Sequence, residues 1–283
     1  MQDIKRRIKS VNSTKQITKA MELVSSAKLR KAKEKLERNK LYFQKTEQVL
    51  NDLIPHTKRM KNPFVDRREV KKVGYIVISA DRGLCGGYNA NVLKKALKDM
   101  GDKNSSIIAI GQKSVNFFKK KGFDIDGEFI SISEKPELND AKSISKLAIE
   151  LFENELIDEV RLVYTEFVST ITHRPIVKVL LPLANKVDET DKKNNKKLDL
   201  MIYEPSPEVV LDNIIPKYME SMIYGGLIEA SASEQGARRV AMESATNNAN
   251  DMIEKLNLKY NRARQASITQ EISEIVGGAE ALN

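Results

Sequence analysis

One run of the chain, from Pro216 to Val276, is too long to fold inside a single compact domain. It contains no proline after Pro216 and only three glycines. As one α-helix it would span about 90 Å at about 1.5 Å per residue, several times the length of an ordinary globular helix. The apolar positions near the end of the chain follow one another in steps of four and three: Ile268, Ile272, Ile275, Ala279 and Leu282. This spacing is typical of a coiled-coil seam, so the run predicts a partner helix.

The first 54 residues predict that partner. They contain neither proline nor glycine and are rich in strong helix formers. A stripe with three- and four-residue steps runs along them: Ile4, Ile8, Val11, Thr14, Ile17, Met21, Val24 and Ala27. Residues 1–54 hold fourteen Lys and Arg against six Asp and Glu, a balance of +8, whereas residues 208–283 hold seven against eleven, a balance of −4. Because a chain whose two ends pair must reverse direction, we predict an antiparallel coiled coil.

Between the two helices the apolar pattern changes to short runs separated by helical stretches of about ten residues. The predicted strands are 73–79, 107–111, 129–132, 160–168 and 176–181, with a further edge strand at 198–203, and the predicted helices are 89–100, 113–121 and 141–154. Such alternation indicates a mostly parallel sheet with covering helices, a Rossmann-like α/β domain. We therefore predict an N-terminal helix over 1–57, an inserted α/β domain over 73–203 and a C-terminal helix over 207–283. Ser206 is the expected N-cap of that helix, with Pro207 at its first position.

Composition excludes several classes of protein. No apolar stretch approaches the roughly 18–20 residues that span a bilayer, and the start MQDIKRRIKS lacks the apolar core of a signal peptide. We therefore expect a cytoplasmic protein. The single cysteine excludes an internal disulfide, and the two histidines are far apart, so no metal site is expected. The net charge of +9 indicates an acidic partner, which could be nucleic acid, anionic lipid or a protein surface.

The strongest candidate for a ligand-binding or catalytic site is the glycine-rich turn from Asp81 to Gly87, which follows the first strand. A strand, a glycine-rich turn and a helix N-terminus form an anion-binding geometry. The pattern GLCGG is neither GxGxxG nor GxxxxGK[ST], so a tight structural turn is favoured over a nucleotide site. Cys85 has no histidine placed near it, and the acids Glu271 and Glu274 are expected on a solvated surface. With no nucleophile, base and oxyanion donor assembled, the sequence predicts neither catalysis nor a cofactor.

The C-terminal tip has an unusual composition for a basic chain. From Ala266 to Leu282 it contains no Lys or Arg, and it is mostly Ile, Val, Ala, Gly, Ser and Thr. Two interpretations are open. The tip could enter an apolar sleeve made by another protein, or it could be a frayed end that packs on the N-terminal helix.

Three stretches resemble one known family. They are residues 15–24 (KQITKAMELV), residues 79–89 (SADRGLCGGYN) and residues 263–272 (ARQASITQEI), the last continuing through Glu274, Ile275, Val276, Gly278 and Ala279. These motifs, in this order over the whole chain, closely resemble the gamma subunits of F-type ATP synthases. The chloroplast form carries a regulatory insert with two cysteines, which is lacking here, so the chain resembles the bacterial type.

The resemblance implies a function. In that family the coiled coil threads a ring of three alpha and three beta subunits, and its ion-driven rotation is coupled to ATP synthesis on beta, while gamma itself is not catalytic. The positions that match contacts with the alpha/beta ring are Met21, Arg238, Arg264, Gln265, Thr269, Glu271 and Glu274. Cys85 matches a turn near an acidic beta loop, and Tyr203 and Glu204 match the foot beside the epsilon subunit and the membrane c-ring. The implied partners are the alpha, beta, epsilon and c-ring subunits, with a peripheral location on the cytoplasmic face of a bacterial membrane.

Two other functions fit parts of the sequence. A nucleic-acid-binding coiled-coil protein with a globular hinge domain would use its basic helices to track phosphates, although these helices have little aromatic interleaving. A nucleotide-dependent enzyme built on the α/β domain would be stabilised by ATP or NAD, which we do not expect.

Overall fold

A computed structural model describes residues 1–53, 62–66, 68–183, 204 and 206–280. The elements in chain order are α1 (Gln2–Leu53), β1 (Val73–Ile78), α2 (Tyr88–Met100), β2 (Ser105–Ile110), α3 (Gln112–Lys120), β3 (Ile125–Phe129), α4 (Leu138–Glu153), β4 (Glu159–Phe167), β5 (His173–Leu181) and α5 (Pro207–Glu280). The two long terminal helices and the inserted α/β domain are confirmed. The predicted edge strand at 198–203 lies outside the described residues.

The sheet has the strand order β3-β2-β1-β4-β5. The β1–β2, β1–β4 and β2–β3 pairs are parallel, and the β4–β5 pair is antiparallel, which confirms the mostly parallel sheet. The third strand was predicted at 129–132 but runs from Ile125 to Phe129. This strand alternates between half-buried and exposed residues, as an edge strand does, and its pattern Ile-Asp-Gly-Glu-Phe is too polar to be recognised as an apolar run.

The chain divides into two compact units, one formed by Ala27–Ala237 and the other by Met1–Ser26 with Arg238–Asn283. In the first unit the sheet has a core on each face. One core contains side chains of α2 and α3, such as Val92, Met100 and Phe118. The other contains α4 together with the segments of α1 and α5 in this unit, including Leu50 and Leu227.

Two glycines allow α5 to lie between α1 and the sheet. A Cβ on Gly225 would be 3.4 Å from the Phe43 ring of α1, and a Cβ on Gly226 would be 3.0 Å from Cδ2 of Leu162 on β4. The Phe43 ring also meets the Tyr224 ring edge to face, with 6.2 Å between the ring centroids. The missing side chains therefore place the helix backbone close to both neighbours.

The direction of the two helices follows from the first unit. Gln44 and Glu47 of α1 share a cavity wall with Ser221 and Met222, whereas the earlier Lys31 and Ala32 share another with Ile228 and Ser231. Later residues of α1 therefore meet earlier residues of α5, and the predicted antiparallel pairing is confirmed.

In the second unit, α1 and α5 meet through small hydroxyl side chains. Oγ1 of Thr18 lies 2.8 Å from Oγ1 of Thr246, and both residues are buried. The predicted stripe is half-buried at its start and again at Met21, but its four other positions are wrong. Ile17 is 61% exposed, and Thr14, Val24 and Ala27 are exposed as well. The buried positions are Thr18 and Ser25, which hydrophobicity cannot mark because they are polar.

The end of α5 is bare. Ile268, Ile272, Ile275 and Val276 are 47% to 72% exposed. The interpretation that this end packs on the N-terminal helix is therefore wrong for the described residues. A helix can keep the spacing of a seam without a partner in its own chain, because the spacing only specifies which side chains share a face.

Candidate functional site

The turn after β1 is organised by the Asp81 carboxylate. It accepts hydrogen bonds from the backbone N–H groups of Gln112 (3.1 Å), Ser131 (2.9 Å) and Ser133 (3.2 Å), and from the Ser133 hydroxyl (2.8 Å). Gln112 begins α3, and the two serines follow β3. One side chain therefore ties the carboxyl end of β1 to both of these segments.

The N-terminus of α3, which lies against Asp81 of the glycine-rich turn, is occupied by the chain itself. Its first backbone N–H groups donate to the Asp81 carboxylate, to the Ala80 carbonyl (3.1 Å) and to Oγ of Ser79 (2.8 Å). Gly111 precedes the helix with a φ of +84°, and a Cβ there would be 2.3 Å from the Ser79 carbonyl oxygen. Because these donors are taken and one of the bound groups is an anion, the N-terminus of α3 is not open to a phosphate, and Asp81 has a structural role in the turn.

Cys85 is buried in the same turn. Nδ2 of Asn89 donates to its Sγ at 3.1 Å, while Oδ1 of Asn89 accepts from the Ala80 N–H at 2.9 Å. The thiol is therefore covered, whereas the neighbouring Leu84 side chain is 63% exposed, with a φ of +62°. Sequence reasoning missed Leu84, although an apolar residue inside a glycine-rich turn is a weak signal of an interface.

The seven residues that match ring contacts all lie on α1 and α5 in the unit of 1–26 and 238–283. The five from Arg264 to Glu274 are exposed, Met21 is half-buried and Arg238 is only 6% exposed. They do not form one cluster, because Arg238 and Glu274 are about 54 Å apart at about 1.5 Å per residue along a helix. Glu204 is exposed, and Tyr203 lies outside the described residues.

The same unit also exposes apolar side chains that sequence reasoning either assigned to the seam or passed over. They are Ile17, Leu23, Val24, Val240, Met252 and Leu258. Scattered apolar residues are normal on a surface, but here they occur on both helices of a slender unit. This distribution is typical of a rod that is covered by other chains.

Basic side chains gather in the first unit around a cavity of about 460 Å³. Lys28, Lys31, Lys35 and Lys135 line it. Nζ of Lys28 is 2.6 Å from the Glu134 carboxylate, and Lys35 donates to the Pro136 carbonyl. The lysines thus brace α1 against the segment before α4 and present positive charge beside it.

Metal binding and membrane insertion find no support in the described part of the chain. Within the described ranges no group of three or more His, Cys, Asp or Glu side chains could hold a metal ion. None of the helices described has the length and apolar character needed to cross a bilayer.

Comparisons with known proteins agree with the resemblance found in the sequence. The ATP synthase family model matches residues 1–282. The ATP synthase gamma chain of Alkaliphilus metalliredigens is 63% identical over 284 residues, covering 100% of this chain and 98% of the relative. The chain belongs to the ATP synthase gamma chain family. Another gamma chain, from Acetobacterium woodii and described as sodium ion specific, is 49% identical and covers 100% of this chain and 99% of its own length.

Solved structures share the fold at low identity. A chain from the Tetrahymena thermophila mitochondrial ATP synthase, in a structure of the central stalk and c-ring, has a TM-score of 0.64 at 23% identity and covers 81% of this chain and 99% of its own length. A chain from the Euglena gracilis mitochondrial enzyme has a TM-score of 0.60 at 17% identity, over 91% of this chain and 95% of its own. These likenesses show that the fold, long terminal helices with an inserted sheet, also occurs in chains of two mitochondrial ATP synthase structures.

Family membership gives the chain its function. It is a gamma subunit of the F-type ATP synthase, the rotor of the central stalk and a non-catalytic part of that complex. The function predicted from the sequence is therefore confirmed. The two alternative functions, nucleic-acid binding and nucleotide-dependent catalysis, are not needed to explain the basic charge and the α/β domain.

Proposed function

We propose that the chain transmits torque between an ion-driven membrane ring and the beta subunits of an alpha3 beta3 head, with the end of α5 turning inside the head. The observation that carries this proposal is the bare end of α5. Its four large apolar side chains from Ile268 to Val276 are exposed, and the sequence from Ala266 to Leu282 has no Lys or Arg. An exposed apolar face of this kind is typical of an interface. A surface of low charge also lets the helix rotate without being held at one angle.

The proposed contacts with the alpha/beta ring are Met21, Arg238, Arg264, Gln265, Thr269, Glu271 and Glu274. The exposure of the last five supports direct contact. Their polar ends are already partly ordered along the helix, since Thr269 donates to the Gln265 carbonyl at 2.9 Å and Gln270 donates to Glu274 at 2.9 Å. Arg238 is buried, so its proposed role is to hold α5 in place below the contact surface.

A rotor must present different faces to the three beta subunits. Residues 1–54 carry a balance of +8 and residues 208–283 a balance of −4, so the two strands of the rod differ strongly in charge. A rod with unlike sides contacts each beta subunit differently as it turns, which is the asymmetry that sequential nucleotide states require. The paired helices supply the stiffness. Proline is absent from residues 1–54, and α5 has none after Pro216.

The acidic beta loop is proposed to meet the basic side of α1 near the turn of Cys85. Lys28, Lys31 and Lys35 give this side its charge, and Leu84 adds an exposed apolar residue. Opposite charges favour this pairing and increase the rate of encounter. At the other end, Tyr203 and Glu204 are proposed to face the epsilon subunit and the c-ring, which would hold the chain at the cytoplasmic face of a bacterial membrane.

Truncation tests the proposal. A chain that ends at Gln265 is expected to keep the unfolding midpoint of the α/β domain while torque and coupling decrease in a reconstituted alpha3 beta3 complex. Two matched triple variants each replace three exposed apolar residues by Asn. One changes the tip at Ile268, Ile272 and Ile275, and the control changes the α/β unit at Leu138, Leu156 and Ile171. Only the first set should reduce coupling. Full torque from the truncated chain would contradict the proposed role of the tip.

Copurification tests the partners. A complex from membranes with alpha, beta and epsilon and one copy of this chain is expected. The alternatives have their own readouts, namely salt-dependent retention on DNA and thermal stabilisation by ATP or NAD, neither of which a rotor subunit requires.

A further inference from the structure

A second cavity, of about 330 Å³, lies in the unit of Ala27–Ala237 between α1, α5 and the β4–β5 hairpin. Its walls include Phe43 and Glu47 of α1, Tyr164 of β4, Lys178 of β5 and Glu229 of α5. It adjoins Gly225 and Gly226, where α5 approaches both α1 and the sheet. A change in this cavity therefore acts where α5 is close to both α1 and the sheet.

Glu229 is the exceptional group in the wall. Its Oε2 atom is buried and has no hydrogen-bond partner within the described part of the chain. Burial raises the pKa of this carboxyl, and the negative charge of Glu166 on β4 raises it further, to about 7. A hydrogen bond from the backbone of Phe167 and the charge of Lys178 oppose the rise without cancelling it.

The charged groups around Glu229 explain why it lacks a cation of its own. On β5, Lys178 is 3.8 Å from the carboxylate of Glu47 on α1, so its charge is shared. On β4, Glu166 is held by Arg174 of β5 at 2.5 Å and repels a second carboxylate. Glu37 and Lys40 of α1 and the phenol of Tyr164 on β4 complete the ionisable groups in the wall. The hairpin and α1 thus supply enough positive charge for their own acids and little for Glu229.

We propose that Glu229 is a protonation-dependent contact that controls how tightly α5 packs against the β4–β5 hairpin. The neutral acid can remain in the wall with one oxygen unpaired at modest cost. The carboxylate needs water or a cation, because an unpaired charge away from solvent is strongly unfavourable. At about 30 Å³ for each water molecule, the cavity can admit several. Ionisation therefore hydrates the cavity and loosens α5 from β4 without unfolding the unit.

The first experiment follows the carboxyl directly. In the full-length chain with ¹³C-labelled glutamate carboxyls, one resonance is expected to titrate near neutral pH and to be missing in Glu229→Gln. Glu166→Gln removes the neighbouring negative charge and is expected to move that midpoint down, which keeps the test decisive if Glu229→Gln fails to fold. A Glu229 midpoint below about 5, close to the ordinary value for glutamate, overturns the proposal.

The second experiment measures the loosening. Amide hydrogen exchange, converted to protection factors, is expected to show a loss of about tenfold in protection between pH 6 and pH 8 for Phe167 and for residues 225–232, since opening releases a carboxyl with a raised pKa. Glu229→Gln should show the same protection at both pH values. The matched control is Glu37→Gln, which lines the same cavity and should behave like the unsubstituted chain. Titration of Glu229 near neutral pH with unchanged protection also overturns the proposal.

Discussion

Thr18 and Thr246 place their hydroxyl oxygens 2.8 Å apart in the buried interface between α1 and α5. Each oxygen is also close to a carbonyl of its own helix, 3.0 Å from Lys15 for Thr18 and 2.8 Å from Met242 for Thr246. Two hydroxyl protons serve three possible contacts, so only one threonine can donate across the interface at a time while the other donates to its own backbone. The pair fixes the axial register of the helices by a polar contact.

A double-mutant cycle measures this contact. Thr18→Val and Thr246→Val are each expected to lower the free energy of unfolding by about 1–2 kcal/mol, because each leaves the other hydroxyl without its cross-helix partner. Removing both should cost less than the sum of the two, with a coupling of about 1 kcal/mol. Urea unfolding of the full-length chain gives the values. Thr14→Val, at an exposed position one turn earlier, is the control and should be nearly neutral; equal losses at all three positions would show that the hydroxyl pair has no special role.

The adjacent glycines of α5 give opposite predictions. Gly225→Ala is expected to stabilise the chain by about 0.5–1 kcal/mol, because alanine lowers the conformational entropy of the unfolded chain. The added methyl would lie 3.4 Å from the Phe43 ring, an ordinary van der Waals contact. Gly226→Ala places its methyl 3.0 Å from Cδ2 of the buried Leu162, and we expect a net loss of about 1–2 kcal/mol from overpacking.

Thermal unfolding of the two variants checks the sign of each change. In the background of Leu162→Val, which removes the contacting carbon, the added loss from Gly226→Ala should decrease. If the two alanines have the same effect in both backgrounds, the sheet does not limit how closely α5 can approach.

Asp81 should matter for stability. Asp81→Ala leaves three backbone N–H groups and a hydroxyl without their acceptor, and we expect the free energy of unfolding to fall by about 2–4 kcal/mol. Chemical denaturation measures the loss, with Asp102→Ala as an exposed control on the loop between α2 and β2. A loss of nucleotide affinity with unchanged stability would instead indicate that the turn is a ligand site.

The Asp99–Arg161 pair predicts how the chain responds to acid. Burial alone would raise the pKa of Asp99, but hydrogen bonds from Arg161 and Tyr75 outweigh it, and the net pKa lies below the usual value. Because the folded pKa is lowered, the stabilisation is present above the unfolded pKa of about 4 and is lost as pH falls through the folded pKa.

Substitution of Arg161 tests this account. Arg161→Gln leaves the carboxylate of Glu159 without its cation and that of Asp99 with only the more distant Lys103, and we expect a loss of about 3 kcal/mol at neutral pH. As the pH falls below about 4, the free energy of unfolding of the variant should also decrease less than that of the unsubstituted chain. Lys119→Gln, which removes a more exposed pair with Glu128, should change stability by less than about 1 kcal/mol. A variant with the same acid sensitivity as the original would remove Arg161 as the cause.

The sequence predicts the elements of this fold better than their contacts. The absence of proline and glycine determines where α1 lies, and continuous apolar runs locate β1, β2 and β4, because buried parallel strands need them. Beyond Val11 the predicted seam of α1 was right only at the half-buried Met21, since the buried residues there are the polar Thr18 and Ser25. Helical periodicity detects apolar side chains only, and small hydroxyls that bond to their own backbone can replace them.

The candidate site shows a similar division. The composition of the tip is enough by itself to predict an unusual surface, and the glycine-rich turn is recognised as structural from its pattern. The role of Asp81 depends on Gln112, Ser131 and Ser133, which are far away in sequence, and no local pattern predicts their meeting. The unpaired oxygen of Glu229 is equally invisible, because it depends on how β4, β5 and α1 share their charges.

The bare end of α5 has a consequence before the rotor is ever built. A newly made chain exposes four large aliphatic side chains to solvent: Ile268, Ile272, Ile275 and Val276. Before assembly, only self-association or a chaperone can cover them. Unassembled subunits should consequently aggregate or be degraded from this end, so that the amount of this subunit in the cell follows the amount of alpha3 beta3 complex.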